Sequence, residues 1–208
     1  MRQTANFVAA DLGASGGRVM LGQWDGRTFS VQELRRFSNG GVLAGDGYWD
    51  ILNIWSQIKA GLTKYHSACP QPPHGIAVGA WGVGSGLLDG AGRLIGNPRH
   101  SRDPRTAAMP QLAFAAVPER KWLSETGVCT MPINTLFQLY NMVRTHDPAL
   151  DTAQTLLTIP DLCAYFLCGD RSVEWTEAVA TQMYSPKRKD WTRTLLNALE
   201  MAVSFCRQ

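Results

Sequence analysis

A short apolar run at 6–10 breaks at Asp11, and the glycine-rich stretch after it gives way to a second apolar run at 18–22. Short apolar runs bounded by glycine read as strands, so the chain opens as strand, tight turn, strand. After the turn signal Asp25-Gly26 an imperfect alternation over 28–34 predicts a third strand, and three short strands in succession predict an antiparallel meander. At Trp49-Asp50 the period changes. Ile51, Ile54, Trp55, Ile58 and Leu62 fall three and four apart, which predicts an amphipathic helix capped by Asp50 and ended before Pro70, Pro72 and Pro73. Small residues at 75–79 predict a buried strand leading into a second glycine-rich segment at 80–86. A return strand at 87–89 follows, with a turn at Asp89-Gly90. Helical patterns then cover 105–116, 118–126 and 134–145. A strand at 155–159 leads through Pro160-Asp161 into an apolar helix at 162–167, and a last helix is expected over 191–203.

Composition changes this picture little. The chain has 208 residues, 45% hydrophobic and 18% charged, which suits a packed core and argues against disorder. Twenty basic residues against 17 acidic ones give +3, too weak a bias for a nucleic-acid surface. The run Lys187-Arg188-Lys189 is followed by Asp190 and reads as a solvated turn. Cysteines at 69, 129, 163, 168 and 206 have no CxxC pairing and no nearby histidine cluster, so reduced thiols and a cytoplasmic protein without a membrane span are expected. No repeat or linker divides the sequence, and one domain over 1–208 is expected.

The strongest chemical signal is Asp11-Leu12-Gly13-Ala14-Ser15-Gly16-Gly17-Arg18 between the first two strands. Glycines let successive backbone N–H groups converge on an anion, Ser15 offers a hydroxyl to a phosphate oxygen, and Asp11 can hold a hydrated magnesium ion. A plain glycine-rich hairpin turn is the alternative. A Walker loop would end in Gly-Lys-Ser/Thr before a helix, and a dinucleotide fingerprint also runs from strand into helix, whereas this segment returns into a strand.

The same octapeptide resembles the first phosphate loop of the FGGY carbohydrate kinases, within the actin-like ATPase superfamily. Its rhamnulokinase branch reads Asp-Leu-Gly-Ala-Ser-Ser-Gly-Arg, so Gly16 replaces a serine. The resemblance continues in order through Arg36-Phe37-Ser38-Asn39, Trp49-Asp50, Trp81-Gly82-Val83, Leu87-Leu88-Asp89 and Arg102-Asp103-Pro104-Arg105-Thr106. Asn134-Thr135-Leu136-Phe137-Gln138-Leu139, Ile159-Pro160-Asp161 and Thr181-Gln182 complete it.

What this resemblance implies is an α/β domain of the ribonuclease H-like, actin-like ATPase type, a mixed sheet opening with the meander and helices on both faces. It implies an ATP-dependent kinase acting on the 1-hydroxyl of a ketose such as L-rhamnulose, with ATP and Mg2+ as cofactors and homodimerisation left open. Ala14, Ser15, Gly16, Gly17 and Arg18 would line the ATP phosphates, with Asp11 acting through magnesium or its water. Gly82 would contact the sugar, and Asp103 and Arg105 would shape the cleft unless they form only a structural ion pair. Trp81 is expected in the core, and Asn134 and Gln138 in packing and capping.

Two departures stand out. Where rhamnulokinases read Ile-Asp-Thr-Trp-Gly-Val-Asp-Phe, this chain has Gly79 and Gly84 in place of both carboxylates. The family's base aspartate lies in a His-Asp-Thr motif of a further domain, and none of His66, His74, His100 and His146 begins such a motif. No catalytic residue is therefore expected in these 208 residues. The chain is expected to be an amino-terminal half, nearly inactive alone, or a non-catalytic binding module that keeps the fold.

Overall fold

The opening meander forms as the hydrophobic pattern predicts. In a computed structural model describing residues 4–44 and 46–201, β1 (Ala5–Leu12) pairs antiparallel with β2 (Gly16–Trp24), Ala5 opposite Trp24 and Leu12 opposite Gly17. Strand β3 (Phe29–Ser38) continues on β2, with a bulge between Val19 and Met20. A two-strand ribbon that the pattern did not reveal, β4 (Val42–Ala44) with β5 (Asp46–Tyr48), leads to helix α1 (Ile51–Ala68).

Helix α1 starts where its cap chemistry places it. The Asp50 carboxylate accepts the Asn53 amide at 3.0 Å, satisfying one of the amides a helix start leaves over. Ile51, Ile54 and Ile58 pack on Ala10 and Leu12, and at Gly61 the helix comes so close to the sheet that a Cβ would lie 2.5 Å from Val19. Along β1 the period is two: Val8, Ala10 and Leu12 are buried while Phe7, Ala9 and Asp11 are exposed. Strand β6 (Gly75–Gly79) joins β1 in parallel, giving the order β3-β2-β1-β6.

After β6 the chain returns as β7 (Ser85–Leu88). The helix expected over 105–116 is split into a short 3-10 turn, Pro104–Thr106, and α2 (Met109–Ala116). Then come α3 (Glu119–Thr126), α4 (Thr135–Arg144) and a single turn, α5 (Ala149–Thr152). His146 adopts φ 51 just past α4, and with Pro148 two residues on the helix stops there. Strand β8 (Thr155–Thr158) pairs antiparallel with β7. Leu88 and Leu157 of this ribbon point into a cluster with α1 and α6 (Ile159–Cys168), and Leu87 and Leu156 point into another with α2, α3 and α4. Helices thus cover both faces of the ribbon, the layered arrangement expected of an α/β domain.

The last part corrects the sequence reading. Helix α7 (Trp175–Ala180) is followed by a hairpin of β9 (Tyr184–Ser185) and β10 (Asp190–Trp191), and only Arg193–Asn197 forms a helix, α8. Trp191 lies edge-on to Tyr184, ring centroids 5.5 Å apart, and the Thr192 amide and hydroxyl both donate to the Met183 carbonyl, at 2.8 and 2.9 Å. These contacts hold Trp191, where the expected helix was to begin, in the ribbon instead. The end of the expected helix lies outside the described residues. The basic run 187–189 forms the exposed turn of this hairpin, with Arg188 pairing with Glu125. No helix among the described residues is long and apolar enough to cross a membrane.

Candidate functional site

The glycine-rich hairpin stands open at the end of the sheet. Ala14 and Ser15 form its exposed tip, and the Gly13 amide closes the turn on the Gly16 carbonyl at 2.8 Å. Asn39, only 3% exposed, clamps the loop from β3: its amide donates to the Ser15 carbonyl (3.2 Å) and its Nδ2 to the Gly13 carbonyl (2.7 Å). With the carbonyls held behind the turn, the Ala14 and Ser15 amides make no hydrogen bond among the described residues. Adjacent free amides at a tight turn are what an anion-binding nest requires.

The loop glycines serve packing more than backbone freedom, since none of Gly13, Gly16 and Gly17 has a positive φ. A Cβ at Gly17 would lie 2.2 Å from the Phe37 ring, and one at Gly16 would lie 3.2 Å from the Phe37 carbonyl. Phe37 therefore sits directly under the loop and sets its height.

Asp11 and Arg18 face each other across β1 and β2 in an ion pair of 2.7 Å, with side chains 56% and 45% exposed. A pair this exposed contributes at most about 1 kcal/mol, so Arg18 can turn to a phosphate and Asp11 to a hydrated cation at little cost. Asp11 is also in register with Gly79 at the carboxyl ends of the parallel strands β1 and β6, the edge where open α/β sheets bind ligands. A Cβ at Gly79 would meet nothing within 4 Å. Neither strand end supplies a second carboxylate beside Asp11.

Residues 80–84 connect this edge to β7. Gly82 is half-buried, with the Ala180 Cβ 3.3 Å from where its own would stand. Gly84 is buried at φ +98, a conformation that favours glycine, and its amide donates to Thr135 Oγ1 at 3.3 Å. Trp81 stacks on Trp49 (centroids 4.0 Å, 29°), and Trp49 on His100 (4.0 Å, 25°). Burial, with the charge of Arg102 adding, lowers the His100 pKa against the opposing pull of Asp103, which favours a neutral ring. Trp81 thus belongs to a packed stack, as the sequence reading expected. The indole nitrogens of both Trp49 and Trp81 are buried without a partner.

Asp103 performs a structural task. Its carboxylate accepts the amides of Gly47 and Arg105, each at 3.0 Å, and lies 3.6 Å from Arg105 Nη1. Burial is the largest single effect and raises its pKa, but those two amides and the guanidinium together outweigh it and hold the carboxyl below the ordinary range. Arg105 also donates to Gln138 Oε1 at 3.3 Å and lines, with Ser85 and Gln138, a cavity of about 200 Å³. Asn134 bonds to Gln182 Oε1 (2.8 Å) and Gln138 to the Ile133 carbonyl (2.7 Å), so both act in packing. The structure brings Asp11, 13–18 and Gly79 to one edge with the 80–84 connection running from it. The clamp by Asn39 and the role of Thr135 escaped the sequence reading, although both lie in segments that carried the resemblance.

Residues 7–205 match the FGGY family of carbohydrate kinases, N-terminal domain. The chain is 34% identical over 195 residues to a rhamnulokinase of Bacteroides thetaiotaomicron and 36% identical over 197 residues to one of Pectobacterium atrosepticum. Each match covers 93% of this chain and 40% of the relative. A solved xylulose kinase from Rhodospirillum rubrum superposes with a TM-score of 0.83 at 17% identity, covering 96% of this chain and 42% of that one. That likeness carries the fold alone. The chain spans about two-fifths of the length of the rhamnulokinases it matches, and it belongs to the FGGY family of carbohydrate kinases through that family's N-terminal domain.

Proposed function

We propose that this chain holds the triphosphate of ATP for phosphoryl transfer to the primary 1-hydroxyl of a ketose, with L-rhamnulose as the first candidate, and that the base comes from outside these 208 residues. The observation that carries this reading is the Ala14–Ser15 tip, whose amides are free and exposed while Asn39 holds the carbonyls away. Phosphoryl transfer requires positioning and charge neutralisation more than covalent chemistry from the protein. The free backbone amides of Ala14 and Ser15 and the Arg18 guanidinium would supply both on the phosphate side, with Gly16 and Gly17 lining it, and Gly82 would form part of the sugar wall. The rhamnulokinase relatives support the choice of sugar.

Magnesium fits this site through one residue. Mg2+ keeps several waters and is commonly held by one or two carboxylates plus substrate phosphates, and Asp11, exposed at the loop base, would bind such waters. The ion would supply charge neutralisation of the triphosphate. Isothermal titration tests the reading: ATP should bind the chain, and sugar should bind once a complementary carboxy-terminal domain is supplied. Binding of neither ligand overturns it.

A second reading has a specific observation behind it. Gly79 faces open space where the family has a carboxylate, which favours a non-catalytic module that keeps nucleotide binding. Sugar-dependent ATP turnover by the 208-residue chain would remove this alternative.

A further inference from the structure

A groove beside β6 gathers four carboxylates, Asp161, Asp170, Glu174 and Glu177, around a volume of about 560 Å³. No lysine, arginine or histidine lines it among the described residues. Strand β6 brings only Ala77 and Val78 to the groove, α6 brings Asp161 and Cys168, and the segment leading into α7 brings Asp170 and Glu174. Glu177 stands opposite them on the first turn of α7.

Two of these carboxylates are well served. Asp161, 7% exposed, accepts the Thr158 hydroxyl at 2.5 Å and the Glu174 amide at 3.2 Å. Glu174 caps α7 by accepting the amides of Thr176 (2.8 Å) and Glu177 (3.1 Å). Glu177 is the exception, because its Oε2 is buried without a hydrogen-bond partner. The Thr158 hydroxyl also faces Glu177, but a hydroxyl has one proton, and here that proton goes to Asp161. Toward Glu177 it presents lone pairs, which repel a carboxylate and accept from a carboxyl. A proton on Glu177 therefore completes a chain from Glu177 through Thr158 to Asp161, and its loss breaks that chain and leaves a buried charge beside like charges. Burial first, and then the charges of Asp161 and Glu174, push the Glu177 pKa up to about 7, so this proton exchanges near neutral pH.

Both ends of the chain touch the 80–84 connection. Thr158 pairs with Ser85, where β7 begins. Ala180, the last residue of α7, places its Cβ 3.3 Å from where one would stand on Gly82, and it lies one helical turn beyond Glu177. A charge expelled at Glu177 thus acts on the helix that covers Gly82.

We infer that Glu177, Thr158 and Asp161 form a proton-operated latch that seats α7 against Gly82, closed while Glu177 carries its proton and released when the proton leaves. The latch stands on these contacts; its consequence for sugar rests on the kinase reading above, in which Gly82 belongs to a sugar wall that is complete below neutral pH and loosened above it.

The test is an NMR titration of the ¹³C,¹⁵N-labelled chain across neutral pH, without ligand. The Glu177 Cδ signal should move with a midpoint at about 7, and the Gly82 and Ala180 amide signals should follow with the same midpoint. Glu177→Gln, neutral at every pH, should hold both amides at their low-pH positions throughout. His100 also titrates close to this connection, through its stack on Trp49. It remains in that variant, so a Gly82 response that survives Glu177→Gln belongs to His100 and overturns the latch. A Glu177 midpoint near the ordinary 4.5, or Gly82 and Ala180 amides that ignore the Glu177 titration, also overturns it. The Cδ measurement needs no substitution and decides the matter even where the variant does not fold. With neither nucleotide nor sugar present, failure here sinks only the latch, whereas absent ATP and sugar binding in the calorimetry above sinks the kinase reading.

Discussion

Gly17 has room for a hydrogen and nothing larger, because the Phe37 ring would meet a Cβ at 2.2 Å. Gly17→Ala should therefore destabilise the chain by about 1–3 kcal/mol through overpacking, read as a lower urea midpoint, and Phe37→Leu in the same chain should recover part of the loss. Asn39 acts by hydrogen bonding. Its Nδ2 bond to the Gly13 carbonyl is made by a residue 3% exposed, and Asn39→Ala deletes that bond while keeping the backbone bond to Ser15, so the variant should cost about 1–3 kcal/mol of stability. It should also weaken ATP by about tenfold as the tip loses its shape, and an Asn39→Ala chain with unchanged ATP affinity would show that the clamp does not shape the site. The turn itself was legible in the sequence, because a glycine-rich segment between two apolar runs brings the chain back as a hairpin. Its clamp was not, since Asn39 and Phe37 lie far beyond the loop in sequence and only strand pairing brings them under it.

At the level of elements, α1 could be read to within a few residues because its isoleucines recur at 3.6-residue spacing and Asp50 caps it. The β9–β10 hairpin could not, since strands of two residues carry no period and are held by the Thr192 bonds to Met183. Helix α7 was also missed. It brings Glu177 beside Asp161 and Glu174, and burial, then the charges of those two carboxylates, pushes the Glu177 pKa up to about 7. A carboxyl whose folded pKa exceeds its unfolded value of 4.5 favours the folded state fully below pH 4.5, and that contribution is lost as pH rises toward 7. Asp161 is raised in the same direction, mainly by burial. Glu177→Gln should accordingly match the parent chain at pH 4 and exceed it in thermal midpoint at pH 8. A variant less stable than the parent at pH 8 would mean that the ionised carboxylate is stabilised by its surroundings.

Across the whole molecule, two helix clusters meet at the β7–β8 ribbon, and the candidate site lies at the carboxyl ends of β1 and β6. The meander and most of the later helices followed from local patterns, whereas the fold class rested on the resemblance to the FGGY kinases. The stack of Trp81, Trp49 and His100 could not be read from local pattern, since it joins three separate segments. One consequence of the proposed function is kinetic: if the base comes from outside these residues, sugar-dependent phosphoryl transfer by the chain alone should fall at least about a hundredfold below that of the chain joined to a base-bearing domain. The most direct measurement is an amide NMR titration of the ¹⁵N-labelled chain with Mg2+ and ATP. Shifts concentrated at 13–18 and at Asn39 are the predicted result. Saturation with ATP that leaves those amides unmoved while others shift would contradict the account.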